Sequence, residues 1–210
     1  MRDGMKVKTC SPGGLSMGFL RGDLFPRPAD GTVDVSRAED ELDCRLDFDD
    51  PRKYGLLGLG TAAAVVVGEH TDVRDVLVNV ARFYAHESCG QCTQCREGTG
   101  WMYKIARRIR EGAGRSYDLD LLVELTANMG MMPGMSICGL PDGAVYPIRT
   151  LVQKFRGEFE RHIAAQEPGA VERRIRGTNP AAYELPILQG RAVAPERGGM
   201  SYEHEWSRQP

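Results

Sequence analysis

The chain lacks a bilayer-spanning segment: its longest apolar run, A-A-A-V-V-V at 62–67, falls far short of the ~20 residues a membrane helix needs. No apolar stretch follows the start, so a secretory signal peptide is not expected. An excess of basic charge is also missing. The formal net charge is −2, which argues against a nucleic-acid partner, since such proteins carry a basic face. Glycines 55, 58 and 60 fit neither the Walker nor the dinucleotide fingerprint, so they are read as turn glycines rather than a phosphate cradle. Repeats at a fixed period are absent, and we find no nucleophile, base and orienting acid arranged for covalent catalysis. A second C-x2-C pair is lacking as well. What remains is a 210-residue chain with 41% hydrophobic residues, enough for one or two packed domains.

The cysteines carry the chemistry. Cys89, Cys92 and Cys95 form a C-x2-C-x2-C loop, and Cys138 stands alone well downstream. A 4Fe-4S cluster needs one thiolate per iron, and a tight loop can serve three corners while a distant segment supplies the fourth. Structural zinc more often takes two separated C-x2-C knuckles. Thiolates suit either occupant, so the three-plus-one grouping favours the cluster and leaves zinc as the alternative. Cys10 and Cys44 are isolated, and six cysteines without secretory features imply thiols in a reducing cytoplasm rather than disulfides. His86, three residues before Cys89, is read as a helix-end residue because four thiolates already complete a cubane. Gly90 would let the backbone pass close to the bound group. Arg96 would offset its charge, and Met129, Met131, Met132, Met135 and Ile137 would shield it or simply fill core.

Along the chain, residues 6–10 read as a short strand turning at Ser11, Pro12, Gly13 and Gly14. A polar, proline-bearing stretch over about 21–50 reads as surface loop, and the run 62–67 as a buried strand. Helical periodicity then begins. Val73, Val76, Leu77, Val80, Phe83 and Tyr84 mark a first helix capped by Thr71 or Asp72. A second is expected from near Arg96, with Trp101, Ile105 and Ile109 at successive turns and a stop at 112–114. A third covers about 118–129. A fourth opens at Pro147 and carries Ile148, Leu151, Val152, Phe155, Phe159 and Ile163 on one stripe. Together they predict a helical bundle. The stretch 167–210 reads as an irregular tail, with 183–188 as a docking segment.

The string E-S-C-G-Q-C-T-Q-C-R-E-G at 87–98 makes the pattern specific. With S-I-C-G-L-P-D-G at 136–143, Tyr146, Pro147, Phe155, Arg156, Glu158 and Phe159, it resembles the NADH-binding, 51-kDa-type subunit of NADH:quinone oxidoreductase, respiratory complex I. Gln94 stands where that family usually has proline and Pro141 where it has glycine; neither change removes a sulfur. The N-terminal stretches around 2–16 and 46–67 resemble the later part of the family's soluble-ligand-binding β-grasp domain.

The resemblance implies an α+β protein: a partial β-grasp segment at 1–70 with an insertion at about 21–45, a four-helix-bundle iron–sulfur domain at 71–166, and the tail. It implies one 4Fe-4S cluster on Cys89, Cys92, Cys95 and Cys138, and electron transfer from NADH-reduced FMN toward quinone. The family's glycine-rich flavin loop is missing, so FMN and NADH are expected on a separate half, through a split gene or a fragment, with this chain inactive alone. The implied partners are that half and further iron–sulfur subunits. The implied location is the cytoplasmic, inner face of the membrane, reached only through those subunits. The diaphorase subunit of a soluble NAD-linked hydrogenase or formate dehydrogenase is a close alternative, and a zinc-binding structural or assembly module a distant one.

Overall fold

The computed structural model describes residues 6–22, 41–130 and 136–166. Three short strands form one antiparallel sheet: β1 (Val7–Ser11), β2 (Leu20–Arg21) and β3 (Val65–Gly68), in the order β2-β1-β3. Cys10 pairs with Leu20 on one side and Val66 on the other. A register irregularity between Val7 and Thr9 sits at Lys8, whose Nζ reaches Glu158 Oε1 at 2.8 Å. A one-turn helix, α1 (Asp50–Lys53), precedes β3.

The helical part contains α2 (Val73–Glu87), α3 (Thr93–Arg110), α4 (Asp118–Met129), α5 (Leu140–Lys154) and α6 (Arg156–Ala164). Asp72 caps α2, accepting from the Arg74 N–H at 2.8 Å, the side-chain service an N-cap provides to orphan amides. Gly112, at φ 73°, follows the end of α3 in the left-handed conformation that glycine adopts without penalty. The buried faces interlock: Val73, Leu77 and Tyr84 of α2, Met102, Ile105 and Ile109 of α3, Leu119 and Leu122 of α4, Ile148 and Leu151 of α5, and Phe159 of α6. Phe155, between α5 and α6, and Phe19, just before β2, join the same core. Each large apolar side chain so buried contributes about 1.5–3 kcal/mol of transfer free energy.

Several elements differ from the sequence expectation. The expected fourth helix begins at Leu140 instead of Pro147, so Pro147 lies inside α5, and it divides at Phe155 into α5 and α6. The first turn is instead opened by Pro141, whose missing N–H is no loss there. Trp101 lies on the outer face of α3, 53% exposed, beside the buried stripe of Met102, Ile105 and Ile109. The run 62–67 is not a buried strand: only 65–68 is extended, and Val65 and Val66 are 40% and 50% exposed. β3 pairs with β1 alone among the described residues, so its far side has no strand partner there. The segment 23–40, the methionines Met131, Met132 and Met135, and the tail 167–210 lie outside the described residues.

Candidate metal centre

The loop between α2 and α3 carries the first three cysteines. Ser88 ends α2 in an extended conformation, φ −65° and ψ 120°, and turns the chain out of the helix. Gly90 follows at φ 79°. A Cβ there would meet nothing nearer than Arg96 Cδ at 3.6 Å, so the glycine is required by its backbone conformation, not by crowding. Cys92 is the N-cap of α3, which starts at Thr93, so Cys95 lies within the first turn instead of ahead of it. The first intrahelical bond runs from Arg96 N–H to Cys92 O at 2.9 Å. The amides of Thr93, Gln94 and Cys95 therefore have no intrahelical acceptor, and the positive end of the helix dipole lies at the cysteines.

Cys138 arrives from the other side of the bundle, directly before Gly139, the N-cap of α5. Its segment touches the first loop, since the Ile137 N–H donates to Cys92 Sγ at 3.4 Å. All four cysteines line one open cavity of about 140 Å³, together with Glu87, Gln91, Leu140 and Pro141. At ~30 Å³ per water, that is space for several atoms. A four-thiol set at two helix N-termini around such a volume fits an anionic, multi-atom cluster.

Burial differs across the set. Cys89 and Cys138 are exposed, Cys92 is intermediate and Cys95 is buried. Burial pushes the Cys95 thiol up; its hydrogen bond with Ser88 opposes that, and the three neighbouring cysteines add to it. Arg96 is tied to the loop itself, its Nη1 donating to Gly90 O at 2.8 Å and its Nε to Glu97 Oε1 at 3.0 Å. It thus clamps the loop with a charge shared by a carboxylate. His86 sits exposed in the last turn of α2, not among the residues that line the cavity. Met129 is buried at 2% exposure, with its sulfur against Gly98. Sequence reasoning missed Ser88, Glu87 and Pro141 as neighbours of the cavity. They stood in the quoted motifs at 87–98 and 136–143, but no role was assigned to them there.

Residues 75–162, covering α2 through most of α6, match the family described as the NADH-ubiquinone oxidoreductase-F iron-sulfur binding region. The F-type subunit of the NADH-quinone oxidoreductase of Rhizobium meliloti is 42% identical over 121 residues, 58% of this chain and 27% of that protein. Its Rickettsia bellii counterpart is 36% identical over 157 residues, 75% of this chain and 33% of the relative. This chain thus spans between about a quarter and a third of the length of these relatives. An NAD+-reducing [NiFe]-hydrogenase in its H2-reduced state is similar in structure, with a TM-score of 0.58 and 26% identity over 85% of this chain and 28% of that one. No helix among the described residues is long and apolar enough to cross a membrane.

Proposed function

We propose that Cys89, Cys92, Cys95 and Cys138 hold one 4Fe-4S cluster, and that the chain is the iron–sulfur electron-transfer part of an NADH dehydrogenase (complex I) subunit. The observation that carries this reading is the gathering of all four cysteines, from two distant segments, on one cavity. When bound, such a cluster supplies reversible storage of a single electron. This chain's residues do the rest. Two helix N-termini offset negative charge, Leu140 and Pro141 form part of the cavity wall, and Arg96 fixes the loop through Gly90 O.

In this reading the helical part (71–166) accepts electrons from FMN reduced by NADH on a partner half that this chain does not carry. It passes them to iron–sulfur subunits leading to quinone, at the cytoplasmic face of the membrane. Residues 1–70 form part of a β-grasp domain, and alone the chain has no NADH-oxidising activity. The names of the oxidoreductase relatives support complex I. The structural likeness to an NAD+-reducing hydrogenase keeps a diaphorase subunit as the second reading.

The decisive experiment is anaerobic purification with iron, sulfide and zinc analysis. A brown protein with about four irons and four sulfides per chain is the expected result. A folded chain with one zinc and no iron would overturn the assignment.

A further inference from the structure

Ser88 stands apart from the other residues beside the cavity. Its N–H closes α2 onto Tyr84 O at 3.1 Å. Its Oγ lies 3.3 Å from Cys95 Sγ, within hydrogen-bonding range for sulfur. The Gly90 N–H donates to the same Oγ at 3.4 Å. That contact uses one of the two lone pairs of the hydroxyl and leaves its proton free. In the four-thiolate reading Cys95 carries no proton, so of the two groups only the Ser88 hydroxyl can donate. Cys95 is also the most enclosed of the four thiols, 6% exposed, where a hydrogen bond is least weakened by water.

We propose that Ser88 sets the reduction potential of the centre by donating a hydrogen bond to Cys95 Sγ. It is a positioning residue, acting through the ligand and not on any reacting group. The inference rests on the four-thiolate reading above. A reduced cluster carries one more negative charge than an oxidised one, and part of that charge resides on the thiolate sulfurs. A donor at sulfur therefore stabilises the reduced form more and raises the potential. The Ile137 N–H acts on Cys92 in the same sense, but from the backbone. Ser88 is the donor that a side-chain change can remove.

The test uses the full 210-residue chain loaded anaerobically with iron and sulfide, with the midpoint read by EPR-monitored redox titration. Ser88→Thr and Ser88→Val are nearly equal in shape and differ in the hydroxyl; Ser88→Ala removes it with less bulk. The expected result is normal iron content throughout, a wild-type midpoint in Thr, and a reduction equilibrium about tenfold less favourable in Val and Ala. For a one-electron couple that is a fall of about 59 mV. Midpoints of Val and Ala equal to wild type would overturn the role of Ser88 while leaving the ligand assignment intact. Loading by Thr but by neither Val nor Ala would place the hydroxyl in cluster assembly and overturn the tuning role. A wild-type chain that takes up no iron would overturn the ligand assignment, and this inference with it.

Discussion

Gly98 shows how closely the metal-bearing helix is fitted to its neighbour. A Cβ at this position would lie 2.4 Å from Met129 Sδ and 3.1 Å from its Cγ, so the methionine would have to move within a closed core. Gly98→Ala should lower stability by about 1–3 kcal/mol, the usual cost of overpacking, read as a lower midpoint in urea denaturation. Cys44 makes a different point. Burial first, and then Asp50, pushes its thiol up to about 11. At pH 8, iodoacetamide should therefore modify exposed Cys89 and Cys138 in the metal-free chain well before Cys44, with peptide mass mapping to identify the sites. Equal rates would show that the pocket around Leu20, Leu56 and Cys44 is open in solution. The same raised thiol sets a sign for stability. An unfolded Cys44 ionises near its ordinary value, so the folded state loses stability as pH rises from about 9 toward 11.

At the scale of elements, the turn between α3 and α4 is held by a charge pair. Asp118 is fully buried and accepts from Arg108 Nε at 2.9 Å, from Arg108 Nη2, and from the Arg115 N–H at 2.8 Å. Arg108→Met would leave the carboxylate with the Arg115 amide alone. A loss of about 3 kcal/mol, the lower end for breaking a buried pair, is expected in thermal unfolding, with an unchanged far-UV spectrum below the transition. The boundaries of α4 were legible in sequence because an acidic start and an apolar period agree there, and the cap of α2 was narrowed to Thr71 or Asp72, of which Asp72 serves. The start of α5 was not. Pro147 carries the strongest local stop signal, yet packing of Ala144, Val145 and Ile148 into the core overrides it. Trp101 misled for a related reason: its spacing from Ile105 is helical, but the buried face of α3 lies one position over, through Met102.

For the whole molecule, the sequence disclosed the site more fully than the sheet. Cysteine spacing is a local property and survives any error in helix ends, so Cys89, Cys92, Cys95 and Cys138 could be grouped before any fold was known. Placing Cys138 on the same cavity still depended on α5 running back across the bundle, which a spacing cannot state. Strand pairing is non-local, and the run 62–67 offered only its hydrophobicity. That property indicated burial, whereas Val65 and Val66 face outward. The consequence is colloidal. A strand edge that has no partner among the described residues and is flanked by exposed valines is a template for another copy of itself, so concentrated solutions of this chain should scatter light increasingly with concentration. A lysine in place of Val66 should suppress that growth without altering the bundle, because repulsion between like charges would then guard the outer border of β3.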